Sequence, residues 1–356
     1  MRLNTRLTTL FPLTHPIVLA PMALAAGGAL AAACARAGAL GLVGGGYGEL
    51  AWTQREYQLA LQHTAPASPS STPTNTAHAD TLALRARLGI GFITWRLDED
   101  ASALDWVLDH PADARPHAVM LSFGDPRPYA GRIAAAGAHL ICQVQRLEQA
   151  AQALEAGARI IVAQGGEAGG HGMNALNGRA TMTLVPELAD WLAQHAPNTL
   201  LLAAGGVADG RGLAAALALG ADGVLVGTRL WATQESLAPP GAKSQALTTS
   251  GDDTARSPVF DILRRKRWPA PYDFRAIRNE LHRQWEDRVD ALRTDPQAAR
   301  ADYEAGVAAG DFSRAHATVG EAVGLLHDLP PAAAMIARIA EEARSVITRL
   351  GSLASV

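Results

Sequence analysis

The chain has 356 residues, of which 48% are hydrophobic and 18% charged, which is ample for a large core and rules out general disorder. Lysine and arginine number 31 against 34 acidic residues, and Lys243 and Lys266 are the only lysines, so there is no broad cationic face for a nucleic acid. A chain of this length fits either two domains or a single α/β barrel with an elaboration.

The N-terminal stretch is apolar, but Pro12, Pro16 and Pro21 interrupt it and Arg36 stands where a secretory cleavage site would be expected. No run elsewhere reaches the roughly 18 to 20 apolar residues a membrane span needs, so the expectation is a cytoplasmic protein. Cys34 and Cys142 sit in apolar surroundings without CxxC spacing and read as small reduced core residues.

From Pro16 onward, short β-branched runs alternate with longer Ala/Leu/Arg stretches, the pattern of βαβ units. The runs are Ile17–Ala20, Leu40–Val43, Ile90–Thr94, Ala118–Ser122, Leu140–Val144, Ile160–Ala163, Leu200–Ala203 and Gly223–Val226. Eight such units predict a (β/α)8 TIM barrel. His63–His78, rich in Pro, Ser and Thr, predicts a mobile loop before the third strand. Gln234–Ala315 carries much of the charge and aromatic content and predicts a mostly helical cap between the eighth strand and the last helix. Beyond it, apolar residues at Leu329, Ile336, Ile339, Ala343 and Ile347 recur at helical spacing, as the eighth barrel helix requires. The expected division is a barrel over 1–233, a cap or substrate domain over 234–315, and a C-terminal barrel helix over 316–356.

Barrel active sites lie on the loops at the C-terminal ends of the strands. After the first strand, Ala20, Pro21 and Met22 bring backbone groups and a thioether to where they could line a ring, or simply fill core. Gln143, in the apolar fifth strand, needs a partner, either a ligand ring or another core group. After the sixth strand, the glycines from Gly165 to Gly172 surround His171, which is read either as a proton carrier on a loop at the barrel mouth or as a surface histidine. After the seventh and eighth strands, Gly205, Gly206, Gly227 and Thr228 can hold a phosphate with backbone N–H groups, or merely form tight turns. The isolated histidines form no metal set, and no barrel strand offers a lysine for a PLP Schiff base. FMN, a phosphorylated sugar and PLP are not separated by this reading alone.

In the stretches PIVLAPMA, GALGLVGGGYG, GFITW, ICQVQ, IVAQGGEAGGHG, LLAAGGVADGRGLAAALALGADGVLVGTRLWAT and GEAVGLLHDLPPAAAMI, the sequence resembles the nitronate monooxygenase family. That resemblance implies an FMN-dependent barrel that oxidises alkyl nitronates, and possibly nitroalkanes, with O2 to a carbonyl compound and nitrite. It implies His171 as the catalytic residue. It also implies FMN contacts from Pro21 and Met22 near the isoalloxazine, Gln143 and Gly165 around the ring and ribityl chain, Gly170 on the Gly-rich loop, and Gly205, Gly206, Gly227 and Thr228 at the phosphate. Some members carry Asn on the third strand, where this chain has Gly91 and Phe92; Thr94 or Trp95 are the candidate substitutes. Partners would be a small nitronate and O2, with no nucleic acid, membrane or metal. The alternatives are an NAD(P)H-dependent FMN reductase acting on a quinone or enoyl thioester, and a flavin-binding protein without turnover.

Overall fold

The computed structural model describes residues 3–65 and 75–353. Eleven strands are present among them: β1 (Ile17–Leu19), β2 (Gly41–Gly46), β3 (Leu88–Ile93), β4 (Ala118–Ser122), β5 (His139–Val144), β6 (Ile160–Gln164), β7 (Gly170–Met173), β8 (Leu200–Ala204), β9 (Gly223–Val226), β10 (Thr254–Ser257) and β11 (Tyr272–Ile277). Eight of them form one parallel sheet in the order β1-β9-β8-β6-β5-β4-β3-β2. A parallel bridge between Val18 and Leu40 joins its two ends and closes the barrel.

Side-chain alternation explains both the core and the mouth. Ala118 and Met120 on β4, Ile141 on β5 and Ile160 and Val162 on β6 fill the barrel interior, together with Leu7, Phe11 and Leu13 from the N-terminal segment. Two residues further along each strand, the same inward-facing positions hold Ser122, Gln143 and Gln164, which line a cavity at the C-terminal ends. The barrel is therefore apolar in its body and polar at its top. The alternate positions, such as Val119, Leu121, Cys142 and Ile161, pack outward against the helices. Cys34 and Cys142 are both buried free thiols, and burial pushes the Cys142 thiol up to about 12.

The C-terminal helix Ala332–Leu353 packs on Gly210–Ala218 and on Gly28–Arg36, filling the gap between the last and first units. Its core face is Met335, Ile336, Ile339, Ala340 and Ala343; predicted Leu329 precedes the helix, and Ile347 is partly exposed.

Residues 66–74 of the predicted loop His63–His78 lie outside the described residues. The flanks differ from the expectation: the helix Leu50–His63 reaches the loop's first residue, and a helix Asn75–Arg85 includes its last four. The Ala- and Leu-rich stretch that follows favours helix strongly enough to extend back over them.

The segment 234–315 holds the helices Pro240–Ala246, Val259–Leu263, Glu280–Trp285, Val289–Thr294 and Gln297–Ala309, and also β10 and β11. These two strands pair antiparallel, and β11 pairs in turn with β7, giving the order β10-β11-β7. The short strand β7, in the connection between the barrel strands β6 and β8, thus completes a second sheet that ties the segment 234–315 to the mouth.

Candidate active site

His171 stands in β7 with Phe274 as its register partner on β11. This corrects the expectation of a histidine on an open loop: the strand pairing and the ring contacts bury the imidazole to 9% exposure. Trp268 stacks on it at 3.4 Å between ring centroids, and Phe274 leans on it at 4.8 Å. Its Nε2 lies 2.9 and 3.1 Å from the two carboxylate oxygens of Asp261, itself only 5% exposed. A carboxylate only accepts, so Nε2 carries the proton and Nδ1 keeps its lone pair. Nδ1 has no protein partner among the described residues, and the side chain lines the cavity.

Burial lowers the His171 pKa to about 4; Asp261 pulls the other way but does not offset it, and Arg264 and Arg256 lower it further. At neutral pH the ring is an uncharged base. Asp261 fixes its tautomer and would stabilise the cation formed when it accepts a proton. Asp261 escaped the sequence reading because it is 90 residues away in the chain and sits in DILRRKR, which reads as a charged helix end.

Arg265 gives that segment its geometry. Its φ of 58° lies in the left-handed region where glycine usually ends a helix, and Lys266 N bonds back to Asp261 O at 2.8 Å. The reversal returns the chain over the barrel mouth, where Trp268 Nε1 donates to Tyr47 Oη at 2.9 Å. The other two non-glycine residues with positive φ among the described residues, Leu24 (60°) and Phe123 (65°), also line the cavity. Such conformations cost on the order of 1–3 kcal/mol each and concentrate where function demands a fixed shape.

The cavity has a volume of about 870 Å³ and runs between barrel and cap. Ala20, Pro21, Met22, Gln143, Gly170, His171, Gly205, Gly206, Gly227 and Thr228 all lie on its wall. Gly165 is not on the wall: a Cβ there would meet Thr181 Oγ1 at 2.0 Å, so this glycine permits close packing beneath the loop. Gly91 and Phe92 line the cavity, whereas Thr94 and Trp95 do not. A side chain at Gly91 would collide with Pro21 Cγ at 2.4 Å, which is why no Asn fits there. Trp95 packs instead against Tyr47 and Trp268.

At the glycine-rich end, Gly205 and Gly206 adopt φ of 98° and 76°. A Cβ built on Gly206 or Gly227 would meet no protein atom closer than 3.8 Å, so it would project into open cavity. The sequence reading missed Thr318 and Gly320, which complete this wall; Gly320 N donates to Thr228 Oγ1 at 2.9 Å. Glu167 is turned away, its carboxylate accepting from Thr181 N at 2.9 Å. At the other end of the wall, Gln143 Nε2 donates to Gln164 Oε1, and Gln164 Nε2 donates to the His171 carbonyl, both at 3.0 Å. The Gln143 amide therefore has a core partner and still faces the cavity. These features suit a flat polar ring with an anionic tail.

Two cap arginines hold the loop between. Arg256 Nη2 donates to Ala168 O at 2.6 Å and Nη1 to Gly170 O at 3.0 Å, while Arg275 Nε reaches Gly166 O at 3.2 Å. The loop that carries His171 is therefore shaped by the cap as much as by the barrel. Among the described residues, no group of three or more His, Cys, Asp or Glu side chains could hold a metal ion, and no helix is long and apolar enough to cross a membrane.

Residues 4–342 match the family described as nitronate monooxygenase. A nitronate monooxygenase of Neurospora crassa is 32% identical, the alignment covering 99% of this chain and 95% of that protein. Among solved structures, FabK from Thermotoga maritima superposes with a TM-score of 0.77 at 26% identity, covering 99% of both chains. The nitroalkane oxidase from Streptomyces ansochromogenes gives 0.73 at 26% identity, covering 97% of this chain and 99% of that one.

Proposed function

Because the chain belongs to the nitronate monooxygenase family, we propose that it uses FMN and O2 to oxidise alkyl nitronates, and nitroalkanes after deprotonation, to a carbonyl compound and nitrite. The family is one of flavin oxidoreductases. The observation that carries the reading is the buried His171–Asp261 pair opening on the same cavity as the glycine wall.

In this reading Gly205, Gly206, Gly227 and Thr228 hold the phosphate, with Thr318 and Gly320 beside them. Pro21, Met22, Gln143 and Gly170 border the ring. Gly165 supports the loop from below. Bound FMN would supply the two-electron acceptor that O2 regenerates.

His171 supplies the proton chemistry. A neutral nitroalkane must lose a proton from its α-carbon, and Nδ1 is the acceptor while Asp261 stabilises the resulting imidazolium. A nitronate arrives already deprotonated and needs only to be positioned. The cap, residues 234–315, covers the cavity and sets which substrates enter.

A second reading, reduction by NAD(P)H followed by transfer to a quinone or enoyl thioester, rests on one feature. The cavity runs on to Arg265 and Lys266, the chemistry a dinucleotide phosphate needs.

The direct test is O2 uptake by the purified yellow protein with a small alkyl nitronate, together with nitrite assay and chromatography of the released flavin. Nitrite formed with O2 uptake and a flavin identified as FMN are expected. A colourless protein that FMN cannot reconstitute, or uptake without nitrite, would overturn the proposal.

A further inference from the structure

The cavity contains a cation that the proposed chemistry has not yet used. Arg264 is the last residue before the left-handed turn at Arg265; its side chain is 14% exposed and lines the cavity. Its guanidinium carbon lies 4.4 Å from the centroid of the Phe274 ring, the ring that also leans on His171. One nitrogen, Nη2, donates to Tyr47 Oη at 3.2 Å. The nearest carboxylate oxygen, Asp261 Oδ1, is 3.9 Å away, outside hydrogen-bond distance, and that carboxylate is engaged with His171.

Nε and Nη1 of Arg264 have no protein acceptor among the described residues. A largely buried guanidinium normally spends its planar fork on a carboxylate, since leaving it unpaired away from water is expensive. Of the other acidic side chains on the wall, Glu304 pairs with Arg265, Glu167 accepts from Thr181, and Glu49 is exposed to solvent. Arg264 therefore brings to the cavity wall N–H donors that no carboxylate engages by a hydrogen bond.

We propose that Arg264 anchors the two oxygens of the substrate's nitronate or nitro group. This rests on the reading of the reaction given above and assigns a residue to substrate recognition. A nitronate is planar and bears two adjacent oxygens sharing a negative charge, the shape that the guanidinium fork matches with parallel N–H donors. The anchor and the base share Asp261, which lies against His171 Nε2 and close to Arg264 Nη2. When a neutral nitroalkane loses its α-proton to His171 Nδ1, the C–H electron pair moves into the C–N bond and negative charge collects on the nitro oxygens. Arg264 meets that charge where it develops, so it serves binding of the anion and deprotonation of the neutral form.

The test uses flavin-loaded protein and nitrate, a planar oxyanion that is not turned over, with binding read by calorimetry and by the flavin difference spectrum. Wild type is expected to bind nitrate, Arg264→Gln to bind it at least tenfold more weakly, and Arg264→Lys, which keeps the charge without the fork, to fall between. Arg132→Gln, on the exposed helix Arg127–Ala135, serves as the control and should bind as wild type does. In turnover, KM for a nitronate should rise about tenfold in Arg264→Gln, and kcat/KM for the matching neutral nitroalkane should fall while its KM changes less than twofold. Absent nitrate binding in wild type, equal binding by Arg264→Gln, or equal KM increases for both substrates would overturn the proposal. If nitrate binding depends on Arg264 but no nitronate is oxidised, the anion site stands and the assigned reaction fails.

Discussion

The two ends of the cavity are built on different principles. The glycine wall is made of backbone from neighbouring barrel loops, with Gly205, Gly206, Gly227 and Thr228 each within a few residues of a strand end. The histidine end is made of side chains from distant segments: His171 from β7, Tyr47 from beyond β2, and Asp261, Arg264 and Trp268 from the cap. A backbone site has room for added atoms only in the space its ligand needs, but depends little on its surroundings. A side-chain site depends on every contact that sets its tautomer, charge and orientation.

Substitutions should separate the two. The largest effect is expected from Gly206→Asp, which places a carboxylate in the open wall, at the proposed phosphate site and at a φ unfavourable for any side chain. The purified protein should lose its flavin and all turnover; stoichiometric flavin by absorbance would remove Gly206 from the cradle. Next, His171→Asn should keep flavin but lower kcat/KM for neutral nitroalkanes about 10²- to 10⁴-fold, with a much smaller loss for nitronates. Equal losses on both would mean that His171 positions substrate and does not move the proton.

Asp261→Asn keeps the shape of the partner and removes its charge, so nitroalkane turnover should drop roughly 10- to 100-fold with flavin binding unchanged. An unaltered rate would exclude the dyad. Arg256→Met should weaken the tie between cap and loop, costing about 3 kcal/mol and lowering Tm by several degrees. An unchanged Tm would show that the loop holds its shape without the cap.

The smallest predicted effect is in the pH profile. With the His171 pKa lowered to about 4, the base form is already complete at neutral pH, and kcat/KM for a nitroalkane should be flat from about pH 6 upward. It should fall as pH drops through about 4, because protonation removes the lone pair on Nδ1. A limb centred near 6.5 would mean that the imidazole is solvated, contrary to its stacking under Trp268. The same shift acts on stability. A histidine held below its unfolded value favours the fold fully above about pH 6.5, and that contribution is lost as pH falls toward 4; His316, lowered by burial to about 3, adds in the same direction.

This contrast also explains what the sequence revealed. All eight barrel strands were readable because β-branched runs such as Ile160–Gln164 are bounded by glycine turns, and turn chemistry is local. The glycine wall was readable for the same reason. β7 was not, since Gly-His-Gly-Met has no apolar alternation and becomes a strand only through pairing with β11, about a hundred residues away. β11 itself carried a signal, the alternation of Tyr272, Phe274 and Ala276, that was overlooked within a segment expected to be mostly helical. Asp261 and Arg264 gave none, because their roles exist only after the cap folds over the barrel.

The central claim is that electrons enter from a nitronate. It is tested most directly by anaerobic mixing of the flavin-loaded protein with a small alkyl nitronate, and separately with NADH and NADPH, following the absorbance near 450 nm. Rapid bleaching by the nitronate with little response to either nicotinamide is the predicted result. Rapid bleaching by NADH or NADPH with none by the nitronate would contradict the claim and place the enzyme among nicotinamide-dependent flavin reductases.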